Sequence, residues 1–204
     1  MKYKKNPFQS IVLLYGRITA CLFLTYCYTL AQSSSIEGDI YSAMKIKIGI
    51  LSDTHLSSVN YSFEKSYDQH LSDKDIIIHT GDFVSIEIVE FLDSHNEFHG
   101  VCGNMDPHDI REILPPKRII DAGPFKIGIM HGWGPKQGLE DRLMNEFTGV
   151  DIIVYGHSHR PANHSKDGVL FFNGGTAAGR SLTVPGSIGI LEIDQEVKGK
   201  IINI

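Results

Sequence analysis

The sequence predicts an α/β fold in which two mixed β-sheets pack face to face with helices on their outer sides, and three observations carry that prediction. Short apolar runs alternate with amphipathic stretches through the first half of the chain's body, the pattern of βα units joined by parallel, right-handed crossovers. From Val169 onward the pattern changes to hairpin-like strands separated by Gly-rich turns. Each early apolar run also ends in polar side chains able to bind metal, and in α/β sheets ligands gather beyond the carboxyl ends of strands.

Residues 45–51 form the first buried-strand run and deliver Ser52-Asp53-Thr54-His55 at its end. Residues 61–71 read as a short amphipathic helix, with Phe63, Tyr67 and Leu71 at spacing four. The run 75–79 leads into Thr80-Gly81-Asp82, and 85–94 reads as a helix with Ile86, Val89, Phe91 and Leu92 inward. The run 98–102 leads into Gly103-Asn104. A helix start follows, with Asp106 as N-cap and Pro107 at the first helical position. The run 125–130 leads into His131-Gly132, a helix is expected over 138–147, and 151–155 leads into Gly156-His157-Ser158-His159. Strands over 169–172, 187–193 and 197–204 complete the body.

A chain of 204 residues, 42% hydrophobic and 21% charged, suits one well-packed domain and is short for two. The expected domain is 44–204, with 1–43 as an N-terminal extension of different character. That extension holds four of the 19 Lys and Arg and two of the 24 acids, which leaves the body 15 bases against 22 acids. An acidic body without a Lys/Arg cluster is a poor match for a phosphate backbone, so no nucleic-acid partner is expected. Cys21, Cys27 and Cys102 imply no disulfide framework.

Lys2, Lys4 and Lys5 precede an apolar stretch that Arg17 interrupts. Two readings compete. From Ile18 the stretch has the layout of a secretory signal peptide, which would make the protein exported. Alternatively the start is mis-assigned: Met44 stands directly before the first strand, and initiation there gives a cytoplasmic protein. The uncharged run is shorter than the roughly 20 residues of a spanning helix, and no membrane association is expected of 44–204.

Seven side chains thus stand at strand ends: Asp53, His55, Asp82, Asn104, His131, His157 and His159. Imidazole, carboxylate and amide oxygen together suit borderline or hard divalent ions such as Mn²⁺, Fe²⁺, Zn²⁺ or Ni²⁺. Seven ligands exceed what one ion takes from protein. Two ions roughly 3.5–4 Å apart, sharing one carboxylate and one hydroxide, would use them all. Their charges against two Asp and one hydroxide leave about +1, which attracts a phosphate ester, and the shared water becomes a nucleophile near neutral pH. A single Asp-x-His or His-x-His is more often surface or core chemistry. Five such motifs in one order, each at a strand end, are a strong signal.

Asp53-Thr54-His55, Gly81-Asp82, Gly103-Asn104-Met105-Asp106, His131-Gly132 and Gly156-His157-Ser158-His159 resemble the five ordered motifs of calcineurin-like metallophosphoesterases, and the compact body most resembles the small YfcE-type phosphodiesterases. The resemblance spans 44–204. It implies a four-layer αββα fold and a dinuclear, preferably manganese, centre. One metal would be held by Asp53, His55, Asp82 and His159, the other by Asp82, Asn104, His131 and His157, with Asp82 bridging. Asp82, Asn104 and His131 are the residues it places in catalysis, on a small phosphate-ester substrate. Asn173-Gly174-Gly175-Thr176 resembles the family's Asn-Pro-Gly-Ser turn, its role left open.

One departure concerns the residue after the Asn, often a His acting as general acid and here Met105. A thioether donates no proton, so a preference for esters with acidic leaving groups, such as aryl phosphates, is expected. His108 reads as a surface residue at a helix start, and His79 as a buried residue orienting the Asp82 loop. His70, His95, His99 and His164 are expected to face solvent, and Lys45 and Lys47 to occupy edge or solvent positions. Trp133 either rims the pocket or is a partly buried loop residue. Arg160 and Lys136 are candidate phosphate contacts. The rival readings are a phosphomonoesterase and a non-catalytic interaction scaffold, the role this fold serves in a retromer subunit; oligomeric state, a homo-oligomer included, is left open.

Overall fold

A computed structural model describes residues 45–94, 97–178 and 185–204. The extension and His95 lie outside the described residues, and no helix among them is long and apolar enough to cross a membrane.

Ten strands form two five-stranded sheets. The first has the order β10-β9-β1-β2-β3, from β1 (Ile46–Leu51), β2 (Ile76–His79), β3 (Phe98–Gly100), β9 (Ser187–Ile193) and β10 (Val197–Asn203). The second has the order β4-β5-β6-β8-β7, from β4 (Lys117–Ala122), β5 (Phe125–Met130), β6 (Ile152–Tyr155), β7 (Ala162–Lys166) and β8 (Val169–Asn173). β1, β2 and β3 run parallel, as do β5, β6 and β8, while β9, β10, β4 and β7 pair antiparallel. Both sheets are therefore mixed. The helices are α1 (Tyr61–His70), α2 (Ile86–Asp93), α3 (His108–Ile113) and α4 (Leu139–Glu146).

Side-chain alternation along the strands sorts the core into three apolar layers. Ile48, Ile50 and Ile78 of the first sheet meet Ile127, Ile129, Val154 and Phe172 of the second between the sheets. Ile77 and Leu51 point the other way, against Phe63 of α1, Ile88 and Leu92 of α2 and Ile110 of α3. On the far side Ile153 and Phe171 meet Leu139 and Leu143 of α4. Helices, sheet, sheet and helix make the four-layer sandwich the sequence predicts. Truncating a fully buried member such as Ile129 to Ala is expected to cost about 2–5 kcal/mol.

Several local expectations change. β4 and β7 are strands the sequence reading lacks. Pro107, not Asp106, is the N-cap of α3, and it makes no side-chain cap hydrogen bond. β1 lies between β2 and β9, so Lys47 is off the edge, but both lysines hold the expected solvent positions, Lys47 facing Asp73 across 4.0 Å and Lys45 pairing with Glu192. His99 is largely covered, with Nδ1 3.1 Å from Arg118 and Nε2 3.0 Å from Glu97, and His70 is half-buried. His164 is exposed but stacks on Phe171 and faces Glu140 at 3.1 Å.

Candidate metal centre

The parallel strands bring their carboxyl ends together, and all seven strand-end residues are gathered there. Asp53 and His55 follow β1, Asp82 follows β2, Asn104 follows β3, His131 follows β5, and His157 and His159 follow β6. Five of the seven, Asp53, His55, Asp82, His157 and His159, have φ between 47° and 63°. Such left-handed backbone in non-Gly residues costs on the order of 1 kcal/mol each and concentrates at functional sites. Here Asp53 and His55, two residues apart on one loop, both reach the first ligand cluster, while His157 and His159 serve one cluster each.

One ligand atom from each of Asp53, His55, Asp82 and His159 lies within 4.8 Å of the others. Nε2 of His55 and Nε2 of His159 are 3.4 Å apart. Asp53 Oδ1 is buried, faces His159 Nε2 at 3.0 Å and lacks the alignment of a hydrogen bond to any partner. Buried polar atoms are almost always satisfied, so an orphaned carboxylate oxygen beside two imidazole nitrogens is the chemistry that fits a cation.

The second cluster makes the same case through its tautomers. His131 Nδ1 lies 2.7 Å from the Thr80 carbonyl, which can only accept, so Nδ1 carries the proton. His157 Nε2 lies 2.8 Å from the Gly134 carbonyl and is likewise the protonated nitrogen. In the neutral rings the remaining nitrogens hold lone pairs, and both face Asn104 Oδ1, at 3.2 and 3.0 Å. His131 Nε2 is also 3.4 Å from Asp82 Oδ2, which lies 3.8 Å from His55 Nε2 as well. Lone pairs converging without a proton between them suit a divalent cation.

Electrostatics keep the carboxylates ionised. Burial pushes the Asp53 carboxyl up, but the neighbouring His159, His131 and Ser52 more than offset it and its pKa lies below the usual value. Asp82 behaves alike: burial raises it, His131 and the Met105 N–H lower it further. Burial pushes His131 down, while Asp82 and Asp53 pull its pKa above the ordinary imidazole value.

The supporting contacts include several that sequence reasoning missed. Asp106, 3% exposed, accepts the N–H groups of Asp82, Phe83, Val84 and Gly103. Arg111 donates to the carbonyls of Asp106 and Asn104, both at 2.7 Å. Asn173 donates to Gly156 O and Ser158 Oγ, each at 3.1 Å, and Thr176 Oγ1 donates to Asp53 O, which gives the Asn173–Thr176 turn its role: it holds two of the ligand-bearing loops. The only signal for Asp106 was the motif it ends, where the local capping reading competed. His79 is fully buried, accepts the Gly81 N–H on Nδ1 at 3.1 Å and stacks on Phe83, in keeping with a residue that orients the Asp82 loop. Met105 is 58% exposed, and the His108 side chain is 87% exposed and faces Glu112. Lys136 and Arg160 line a cavity of about 380 Å³ that also holds Glu140 and Asp141.

Residues 46–196 match the family model described as "Calcineurin-like phosphoesterase superfamily domain". A probable metallophosphoesterase of Methanocaldococcus jannaschii is 34% identical over 77% of this chain and 81% of its own length. A phosphodiesterase of the same organism is 30% identical over 74% of this chain and 95% of its own. Among solved structures, wild-type Vacuolar Protein Sorting 29 of Entamoeba histolytica complexed with zinc superposes with a TM-score of 0.59 at 25% identity, covering 78% of this chain and 99% of the other.

Proposed function

The chain belongs to the calcineurin-like phosphoesterase superfamily, and on that premise we propose that it is a phosphodiesterase working through two divalent metal ions, manganese in the first instance. The observation that carries the proposal is the position of Asp82, whose Oδ2 stands between His55 at 3.8 Å and His131 at 3.4 Å. It belongs to both clusters. Asp53, His55, Asp82 and His159 would hold one ion, and Asp82, Asn104, His131 and His157 the other. Bound there, the ions would supply a hydroxide nucleophile near neutral pH and draw charge from the phosphoryl oxygens.

The chain's own residues set up that chemistry. Thr80 and Gly134 carbonyls fix the His131 and His157 tautomers, so each ring presents one lone pair without a rotameric search. Asp106 and Arg111 hold the loops of Asp82 and Asn104 in place. Nothing at position 105 can protonate a leaving group, which favours substrates whose leaving groups are already acidic. The relative named a phosphodiesterase supports the diester over the monoester.

A second reading, an interaction scaffold, draws on the likeness to Vacuolar Protein Sorting 29. Since that protein itself forms a zinc complex, metal uptake does not separate the two readings; turnover does. The test is Mn²⁺-dependent hydrolysis of an aryl phosphodiester and the matching monoester by the full chain, with Asp82→Asn as control. Metal-dependent diester cleavage that the control lacks upholds the proposal. Metal uptake without turnover of either ester points to the scaffold.

A further inference from the structure

Asn104 and His131 also belong to the wall of a cavity of about 280 Å³ whose other side chains include Cys102, Pro116, Met130 and Trp133. Its one cation, Arg111, is committed to two backbone carbonyls. The cavity thus offers apolar surface next to two ligand-type side chains, and an uncompensated charge or a sugar's hydroxyls would be poorly served there. Isolated exposed apolar residues are ordinary. A tryptophan, 39% exposed, on the rim of a cavity that reaches the metal-ligand cluster is a different matter.

Trp133 is also held in place. Arg142 Nε and Nη2 donate to its carbonyl at 3.1 and 2.8 Å, and the Arg142 guanidinium lies 6.0 Å from the indole centroid. The carbonyl bonds fix the backbone that carries the indole, and a ring already in contact with a guanidinium loses less freedom when another ring packs on it. The space suffices: an apolar cavity of about 150 Å³ holds a benzene, so this one admits a substituted phenyl ring.

We propose that this cleft receives the aromatic group of an aryl phosphate ester, with Trp133 as its packing face and the phosphoryl group over Asn104 and His131. The inference rests on the phosphoesterase reading and adds a substrate class to it. It also agrees with Met105, since aryl oxides leave without a proton donor.

Trp133 is the single tryptophan of the chain, so its emission reports on the cleft directly. The experiment titrates phenylphosphonate and methylphosphonate into the full chain loaded with zinc, a spectroscopically silent ion, and follows emission and calorimetric affinity. Phenylphosphonate is expected to shift or quench the emission and to bind about three- to tenfold more tightly than methylphosphonate. Trp133→Phe should keep that advantage and Trp133→Ala should lose it. Equal affinities with unchanged emission overturn the assignment of the cleft, and if aryl esters are still hydrolysed the phosphoesterase reading stands without it. If neither phosphonate binds and no ester is turned over, both fall together.

Discussion

Asp106 reaches back 24 residues to Asp82, its Oδ2 accepting the Asp82 backbone N–H at 3.0 Å. The same carboxylate accepts Gly103 N–H at 2.7 Å, Phe83 N–H at 2.6 Å and Val84 N–H at 3.0 Å. The loops carrying Asp82 and Asn104 therefore share one buried anchor. Asp106→Ala strands three buried donors and the part-buried Val84 N–H, each of which costs up to about 1–3 kcal/mol when left unpaired and much less where water enters the space the carboxylate leaves. The expected loss is on the order of 3 kcal/mol, with metal affinity lower by roughly 10–100-fold. Thermal unfolding in EDTA and a metal titration read the two effects, and wild-type values in both would refute the role given to Asp106.

Gly103 supplies a steric counterpart. A Cβ there would lie against the Asp82 carboxylate and 2.5 Å from the Asp82 nitrogen. Its backbone is outside the left-handed region, so the conflict is one of space alone. Gly103→Ala should displace Asp82 and cost about 1–3 kcal/mol, with metal affinity down at least about tenfold. An unchanged metal titration would show that Asp82 is free to move, contrary to its contacts.

These anchors mark where the sequence stopped being legible. The strands ending at Asp53, Asp82, His131 and His157 were readable because their apolar runs are buried on both faces, and the ligand residues stand directly after them. β4, from Lys117 to Ala122, and β7, from Ala162 to Lys166, carry no such run; they are edge strands, and pairing with β5 and β8 makes them strands. Asp106 was read from its neighbour Pro107 as a local cap, whereas its carboxylate serves contacts from position 82 onward that no local window contains. The left-handed backbone at five ligand positions is equally invisible, because no glycine announces it.

His79 and His131 oppose each other in pH. Burial pushes His79 from the ordinary 6.5 down to about 3, so it is neutral in the folded chain while the unfolded chain binds a proton there below about 6.5. Over that window the unfolded state holds more protons, and the metal-free fold loses stability as pH falls. His131 has a raised pKa, so its contribution is full below the unfolded value and is lost as pH rises through the folded one. Melting temperature in EDTA should therefore peak near pH 6.5. Saturating divalent metal should remove the alkaline decline, since the metal takes the place of the proton on His131. A metal-free melting temperature that climbs steadily to pH 9 would contradict the assignment.

Met105 sets the last prediction. Its N–H donates to Asp82 Oδ1 at 2.7 Å, which holds its backbone against that carboxylate, and its side chain is an exposed thioether with no proton to give. His108 does not replace it, being almost fully exposed and 3.4 Å from Glu112. On the proposed mechanism, introducing an imidazole by Met105→His would supply a proton donor next to the Asp82 loop. Aryl esters gain little from it, because their leaving groups need no proton; alkyl esters gain up to about 10²-fold, the lower range for a positioned acid. The expected outcome is a rise in kcat/KM for an alkyl diester relative to the aryl diester, together with a new alkaline limb in its pH profile as the imidazole loses its proton. An unchanged ratio in a variant that binds metal as the wild type does would mean that leaving-group protonation is not limiting, and the proposed preference for aryl esters would then rest on the Trp133 cleft alone.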